Sequence, residues 1–255
     1  MTKYNALSVN IRYENENDKY QWKDRKYVLK NMIDKINPDF IGFQEVKSRQ
    51  LDDLVNFFSE KYYYYGEFRE ESETAEMNPV FVKKDKFLIE DKKTLWLSDT
   101  PYEKHSNTWD GDLPRIYSYA TVIDRNTHDK ILKFINTHFD HVGVEARIKS
   151  SDLIENIIDE TNFPVLLMGD FNTVPSDGYI DTLLNKENLE NSYDKLQDKE
   201  NSLTIHNYTD VTLGEPIDYI FVKSPFNISK SEVLRIKEND IYSSDHNHIY
   251  IEFEK

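Results

Sequence analysis

The segment GDFNTVPSDG, residues 169–178, follows an apolar run and carries two side chains that can bind a ligand or move a proton. Asp170 and Asn172 are two positions apart, so on a strand they point to the same side. A carboxylate beside an amide at the end of a buried strand is costly unless a partner satisfies both groups. Gly, Asn, Pro and Asp are also common turn formers, so this segment alone leaves an ordinary turn open.

Polar side chains of the same kind end several other apolar runs of the chain. Each alone has an ordinary explanation, since a lone histidine is usually a hydrogen-bonded structural residue and an acid can begin a helix. Together they favour one shared cleft, provided that the strands carrying them are neighbours. The set is Asn10, Glu45, His138, Asp140, Asp170, Asn172, Asp218, Asp245 and His246.

The chemistry of such a cleft follows from its donor atoms. Carboxylate and amide oxygens are hard donors that suit Mg²⁺ or Mn²⁺, and they outnumber the two histidines that could bind zinc. Mg²⁺ usually takes one or two protein carboxylates together with waters and phosphate oxygens of the substrate. The remaining acids are then free to position water and to orient a histidine. The set therefore predicts metal-assisted transfer of a phosphoryl group to water.

The composition limits the class of protein. The chain has 255 residues, of which 38% are hydrophobic and 13% aromatic, enough for a sizeable core in a single domain spanning 1–255. Its 32 Lys and Arg against 47 Asp and Glu give a net charge of −15, which disfavours a large nonspecific surface for polyanions. It has no cysteine, which excludes disulfides, thiolate zinc sites and a cysteine nucleophile.

The start of the chain, MTKYNALSVNIRY, lacks the pattern of a secretory signal, and no apolar run reaches membrane-spanning length. We therefore expect a cytoplasmic protein without membrane insertion, although a trimmed secreted form fits these residues as well. The sequence indicates no obligate protein partner.

The elements that must position the polar set are short β-like runs and a few helices. Apolar spacing predicts a short helix near 180–184 and longer helices over 22–36, 51–58 and 144–160, the last with Ile148, Ile154, Ile157 and Ile158 turned inward. Other apolar runs predict strands at 4–11, 39–46, 62–68, 78–87, 94–99, 117–124, 130–140, 164–172, 216–222 and 246–253.

Strands in both halves of the chain, with helices between them, predict two sheets packed face to face with the helices outside. The polar stretch 100–116 is long for a loop in a compact domain, which predicts a functional or disordered segment.

These residues in this order resemble the endonuclease/exonuclease/phosphatase superfamily, the deoxyribonuclease I-like and exonuclease III-like proteins. The resemblance rests on GDFN, IDYIF and SDH, which are specific together, and extends from Asn10 to His246. The segments TLWLSDTP, LPRIYSYATV and NTHFDHVGVEAR resemble a bacterial branch of stand-alone proteins with poorly defined substrates. The resemblance implies a four-layer α/β sandwich of two mixed sheets flanked by helices, with the site at one rim.

The resemblance also implies roles for single residues. Glu45 matches the primary metal ligand, helped by Asp245 and Asn10. Asp170 matches the acid that orients or deprotonates the attacking water, and Asn172 the amide that holds the phosphate.

Two histidines match positions on either side of the reacting phosphate. His246, oriented by Asp218, matches the histidine that contacts the phosphate, and whether Asp170 or His246 is the general base stays open. His138 matches the histidine on the leaving-group side. Its carboxylate partner falls at Glu76, with Glu73 close enough in sequence to compete.

Other residues are candidates for substrate contacts. Arg115 and Arg147 each could hold a phosphate through a guanidinium fork or form a surface ion pair. Asp140 could bind a second metal or the substrate. Trp109 and His105, in the long loop, could contact a base or ring or could pack the loop together.

The sequence thus predicts a phosphodiesterase that depends on Mg²⁺, or on Mn²⁺ in its place, and acts on a small phosphodiester or short single-stranded nucleic acid. A phosphomonoesterase acting on a phosphorylated small molecule is the alternative, and a silent phosphate- or nucleotide-binding protein is another. Lysines interleaved with acids, as in KDRK and KKDK, do not form the basic surface that long duplex DNA requires.

Overall fold

Two six-stranded mixed sheets face one another across a shared apolar core. The computed structural model describes residues 2–255. The strands are β1 (Lys3–Asn10), β2 (Phe40–Gln44), β3 (Tyr62–Tyr65), β4 (Val80–Lys83), β5 (Phe87–Trp96), β6 (Ile116–Asp124), β7 (Lys130–His138), β8 (Val165–Asp170), β9 (Leu189–Asn191), β10 (Asp218–Lys223), β11 (Asn227–Leu234), β12 (Lys237–Glu238), β13 (Ile241–Tyr242) and β14 (His248–Glu254).

The first sheet has the order β11–β14–β1–β2–β4–β3, and the second has the order β5–β6–β7–β8–β10–β9. Strands β1 and β2 are parallel in the first sheet, as are β7 and β8 in the second, while their other neighbours are antiparallel. The strands β12 and β13 form a separate two-stranded ribbon.

Helices cover the outer face of each sheet. They are α1 (Trp22–Ile36), α2 (Ser48–Phe58), α3 (Val144–Glu160) and α4 (Asp181–Leu184), with 3₁₀ turns at Pro175–Asp177 and Tyr193–Lys195. Leu29 and Leu54 of the first two helices pack on Val9 of the first sheet, within one apolar cluster. A second cluster joins Ile154 of α3 to Leu167 of the second sheet. The layers are therefore helix, sheet, sheet and helix, which confirms the predicted four-layer sandwich.

Strand alternation decides which side chains meet between the sheets. In β8, Leu166 and Met168 enter the shared core, whereas Val165 and Leu167 face the α3 layer. Asp170 has the same parity as Leu166 and Met168, so it lies on the inner side of the strand where that strand ends. The same alternation applies at the ends of β1, β7 and β10, so the inner surface between the sheets becomes polar at one rim.

Several predicted elements differ from the structure. The two predicted strands at 78–87 and 94–99 are instead β4 and one continuous β5 that begins at Phe87. The predicted inward position of Ile148 is wrong, because the residue is 42% exposed. The edge strands β9 and β11 were not predicted, since mixed polar segments such as NISKSEVL pair at a sheet edge without a strong apolar pattern.

Residues 97–115 run as turns and bends between β5 and β6, consistent with the predicted long loop. Among residues 2–255, no helix is long and apolar enough to cross a membrane.

Candidate active site

Strand register brings the polar ends together at one rim of the sandwich. In the first sheet, Asn10 pairs with Gln44 at the ends of the parallel strands β1 and β2. In the second, His138 pairs with Asp170 across β7 and β8, and Asp170 pairs with Asp218 across β8 and β10. These three in-register pairs, at the same end of the two facing sheets, bring the polar strand ends to one cleft.

A polar layer beneath the cleft ties the two sheets to each other. Gln44 Nε2 donates to Asn136 Oδ1 at 2.7 Å, and Asn136 Nδ2 donates to the Phe43 carbonyl at 2.7 Å. Gly169 permits close approach of β7 and β8, because a Cβ there would lie 2.2 Å from the Thr137 carbonyl oxygen. The two sheets that carry the site, and the neighbouring strands β7 and β8, are therefore held at a fixed distance from each other.

Asp170 lies at the centre of the cleft and is 1% exposed. Its Oδ2 accepts a hydrogen bond from Asn10 Nδ2 at 3.0 Å, and its Oδ1 accepts one from the Asn172 backbone N–H at 2.9 Å. Burial, together with the nearby Asp218 carboxylate, raises the pKa of Asp170 well above that of an exposed aspartate. A raised pKa makes this carboxylate a better proton acceptor than an ordinary one.

His246 is buried beside Asp170 and is paired with Asp218. The Nδ1 of His246 lies 2.9 Å from Asp218 Oδ2, and its Nε2 lies 3.9 Å from Asp170 Oδ2. Burial alone would lower the pKa of this imidazole, but Asp218 and the other carboxylates outweigh burial and raise the pKa. The imidazole is therefore cationic at neutral pH, with Nε2 on the Asp170 side.

His138 has the opposite electrostatic environment. Burial lowers its pKa, and the cations Arg115 and Arg69 lower it further, so this imidazole is neutral. Its Nε2 accepts a hydrogen bond from Asn172 Nδ2 at 3.0 Å and lies 3.6 Å from Asp170 Oδ2. The two histidines of the cleft are thus set apart in charge, as groups with different tasks in one reaction require.

Asn172 is held by two contacts of its amide nitrogen. Besides His138, Nδ2 donates to the Phe139 carbonyl at 3.0 Å, and the residue has a left-handed φ of 49°. Holding a phosphate, the role that the resemblance implies, would require this amide to exchange one of these contacts for a phosphate oxygen.

The cleft offers oxygen donors that fit a divalent cation. Ligand atoms of Glu45, His138 and Asp170 lie within 4.8 Å of one another. Asn10 Nδ2 donates to Glu45 Oε1 at 3.0 Å and so links Glu45 to Asp170. Asp245 lines the same pocket, and burial, followed by the Glu45 charge, raises its pKa. Carboxylates crowded in this way gain stability from a divalent ion.

Glu45 reaches the cleft through an uncommon backbone conformation. It follows β2 and has a φ of 63°, a left-handed value that a non-glycine residue adopts at some cost. Alternation from Gln44 would turn the next side chain toward the helix layer, whereas the positive φ breaks that alternation. Its Oε2 accepts the Tyr13 backbone N–H at 2.9 Å, which fixes the carboxylate.

The pocket that these residues line has a volume of about 510 Å³, enough for a phosphate and a small organic group. Four Lys and Arg side chains line this pocket, namely Arg12, Lys47, Arg69 and Arg115. Of these, only Arg115 is a substrate-binding candidate from the sequence.

Two candidate substrate residues, Asp140 and Arg147, have other contacts in the structure. Asp140 is 1% exposed, and its oxygens accept the backbone N–H groups of Val142 and Gly143 and the guanidinium of Arg115. These bonds hold the loop before α3 and leave little capacity for a metal. Arg147 donates to the Asp140 carbonyl at 3.1 Å and stacks over a tyrosine ring, outside the pocket wall.

The two aromatic candidates of the long loop also turn away from the cleft. Trp109 lies against α3, where it lines a separate groove with Tyr102 and Tyr117. His105 packs edge-on against Trp96 and bonds the Arg69 carbonyl through Nδ1 at 3.0 Å. The loop-packing alternative therefore describes both residues.

Glu76 lines the pocket, but its partner differs from the one implied by the resemblance. Its carboxylate pairs with the Arg69 guanidinium at 3.0 Å instead of bonding His138. The nearer cation explains the difference, because a guanidinium attracts a carboxylate more strongly than a neutral imidazole does. Arg69 itself was not predicted, since the segment REESETAE has neither strand nor helix periodicity.

A sequence model described as Endonuclease/Exonuclease/phosphatase family matches residues 7–246. An uncharacterized protein, L388, of Acanthamoeba polyphaga mimivirus is 32% identical over 198 residues, which are 72% of this chain and 69% of that protein.

Solved structures of bacterial proteins superpose over nearly the whole chain. An endonuclease/exonuclease/phosphatase from Bacteroides vulgatus gives a TM-score of 0.90 at 30% identity, with 100% of this chain and 99% of that chain covered. A mannosyl-6-phosphatase from Bacteroides thetaiotaomicron gives a TM-score of 0.87 at 29% identity, with 99% and 100% covered.

Proposed function

The chain belongs to the endonuclease/exonuclease/phosphatase family and is a hydrolase of phosphoester bonds, and we propose that it acts on small phosphoesters with Mg²⁺ bound in the cleft. One observation carries the proposal. His246, which is paired with Asp218, lines one pocket together with the buried Asp170 and the Glu45 carboxylate, although His246 and Glu45 are about 200 residues apart in the sequence.

Asp170 is proposed to accept the proton of the attacking water. Its raised pKa gives it the basicity, and the hydrogen bonds from Asn10 and the Asn172 backbone fix the direction of its oxygens. His246, kept cationic by Asp218, is proposed to stabilise the negative charge that develops on the phosphate oxygens. Because the two side chains adjoin, they share the work of one transition state.

Glu45, with Asp245 and Asn10 close by, is proposed to hold the metal. The bound ion would neutralise phosphate charge and favour attack by water, and Mn²⁺ could replace Mg²⁺. Neutral His138 lines the same pocket and is proposed to lie on the leaving-group side of the phosphate. We also propose that the protein is cytoplasmic.

The sequence favours a phosphodiester, either small or a short single strand, as the first candidate substrate. A phosphomonoester is the second candidate, and a specific observation favours it. The structure of the mannosyl-6-phosphatase, a phosphatase by its description, matches this chain at 29% identity over its whole length. A silent binding protein is the weakest candidate, because each position of the matched motifs keeps its residue.

The test is hydrolysis of bis(p-nitrophenyl) phosphate and p-nitrophenyl phosphate in the presence of Mg²⁺, before and after addition of excess EDTA. We expect turnover of at least one ester, loss of turnover in EDTA, and a fall of ~10²-fold or more in Asp170→Asn. Asp177→Asn, a change at an exposed residue of the 3₁₀ turn outside the pocket, is the matched control and should keep wild-type rates. Equal turnover with and without chelator would overturn the metal assignment.

A further inference from the structure

Arg69 is a buried cation in the wall of the catalytic pocket. The residue is 6% exposed, and the Glu76 carboxylate pairs with its Nη1 at 3.0 Å. Within residues 2–255, its Nε has no hydrogen-bond partner, and the nearest further carboxylate, Glu70, lies 3.9 Å from that atom. A guanidinium has five N–H donors, and buried donors in proteins are almost always paired. The Arg69 guanidinium therefore retains hydrogen-bonding capacity that the protein does not use.

The backbone of Arg69 is fixed by contacts from three other segments. Its N–H donates to the Glu76 carbonyl at 2.9 Å, and its own carbonyl accepts Trp96 Nε1 at 2.9 Å and bonds His105 Nδ1 at 3.0 Å. The long loop thus contributes to the cleft indirectly, through His105, by positioning this arginine. A cation held in place before the ligand arrives loses little conformational entropy on binding.

Arg69 and Arg115 both stand near His138. Each guanidinium lowers the pKa of that histidine, after the larger effect of burial, and each also lines the pocket. Arg115 is satisfied by Asp140 at 3.2 Å and by His141 at 2.9 Å. Arg69 has one close carboxylate and is buried, so an anion in the pocket would relieve the cost of its burial.

We propose that Arg69 binds an oxygen of the substrate's phosphate and makes the site prefer a dianionic phosphomonoester to a monoanionic phosphodiester. The inference rests on the proposed function, whose reaction it narrows. At equal distance, the Coulomb attraction between a guanidinium and a phosphate is twice as large for a dianion as for a monoanion. Arg69 therefore discriminates between the two esters by their charge, while Glu76 holds the Arg69 guanidinium in the pocket wall.

The experiment compares Arg69→Gln and Arg69→Lys with the wild type. KM and kcat are measured for p-nitrophenyl phosphate and bis(p-nitrophenyl) phosphate with Mg²⁺, and inorganic phosphate binding is measured by calorimetry under the same conditions. Arg125→Gln is the matched control, because that guanidinium is also held by hydrogen bonds, to the Lys84 carbonyl and the Tyr63 hydroxyl, but lies outside the pocket.

In Arg69→Gln we expect KM for the monoester and Kd for inorganic phosphate to rise ~10-fold or more, the effect of losing a charge-assisted hydrogen bond. KM for the diester should rise only ~3-fold, because half the Coulomb energy corresponds to the square root of that factor. Arg69→Lys keeps the charge and its pairing with Glu76, so it should fold as the wild type does and show an intermediate loss. Arg125→Gln should leave all three values unchanged.

Equal losses for both esters in Arg69→Gln would overturn the inference, as would an unchanged phosphate Kd in either folded variant or no phosphate binding by the wild type. If Arg69→Gln fails to fold, Arg69→Met, which also removes the charge, takes its place in the same comparison. If the wild-type protein binds phosphate through Arg69 but hydrolyses neither ester, the proposed function is wrong. Arg69 is then still a phosphate-binding residue.

Discussion

Asp218 holds His246 in one orientation: the two side chains meet at 2.9 Å, Oδ2 to Nδ1, and both are buried. An ionised carboxylate can only accept, so Nδ1 carries the hydrogen and the ring presents Nε2 toward Asp170, 3.9 Å away. Charge and direction of the imidazole thus both depend on one carboxylate at the start of β10.

Asp218→Asn should therefore lower kcat by ~10²-fold or more while the protein stays folded, because the imidazole loses the charge that keeps it cationic. His246→Ala should have a similar effect. The double variant should lose less than the product of the two single losses, since the pair acts as a unit. Rates and thermal melts of the three proteins test this, and multiplicative losses would contradict the pairing.

Glu45→Gln should weaken Mg²⁺ binding by ~10-fold or more, because the neutral amide contributes less to the charge that attracts the ion. Calorimetric titration of the protein with Mg²⁺, with no substrate present, measures the effect directly. Glu14→Gln, an acid near the rim that pairs with Arg49 at 3.7 Å, serves as the control. Equal Mg²⁺ affinities in the Glu45 variant and the wild type would remove Glu45 from the metal site.

Small phosphoesters should be preferred over long duplex DNA. Duplex binding draws on many Lys and Arg contacts to phosphates, whereas four cationic side chains line this pocket and the chain carries a net charge of −15. Plasmid nicking, oligonucleotide cleavage and small-ester hydrolysis are compared over a series of salt concentrations. Efficient nicking that declines steeply as salt rises would count against the prediction.

Acid should destabilise the protein through His248. Burial, with smaller effects of His246 and His206, lowers the pKa of His248 to about 3 in the folded state, whereas the unfolded chain has an ordinary histidine pKa near ~6.5. Between these values the unfolded state binds more protons, so the stabilising contribution is complete above pH ~6.5 and falls as pH drops toward 3.

The expected loss from this one group is roughly 1–2 kcal/mol between pH 7 and pH 5. Urea unfolding at the two pH values measures it, and His248→Gln should reduce the difference. His206, whose pKa burial lowers to about 4, should supply part of the pH dependence that remains. An identical pH dependence in the variant would show that His248 titrates normally.

Local sequence was sufficient for much of the architecture. The bounds of α1 and α3 follow from apolar spacing alone, because the 3.6-residue repeat is strong over fifteen or more residues. The alternation in β8 assigns Asp170 to the inner face once that strand is recognised, since a strand has a period of two residues. The order of GDFN, IDYIF and SDH then indicated the family.

Only the tertiary structure decided which partner each polar side chain takes. Arg69 pairs with Glu76, Asp140 is consumed by the loop before α3, and Trp109 turns away from the cleft. These outcomes depend on contacts between segments far apart in the chain and on single backbone angles, such as the left-handed φ of Glu45. Periodicity determines the face from which a side chain projects, but the neighbour that meets it there is set by how the sheets and loops pack.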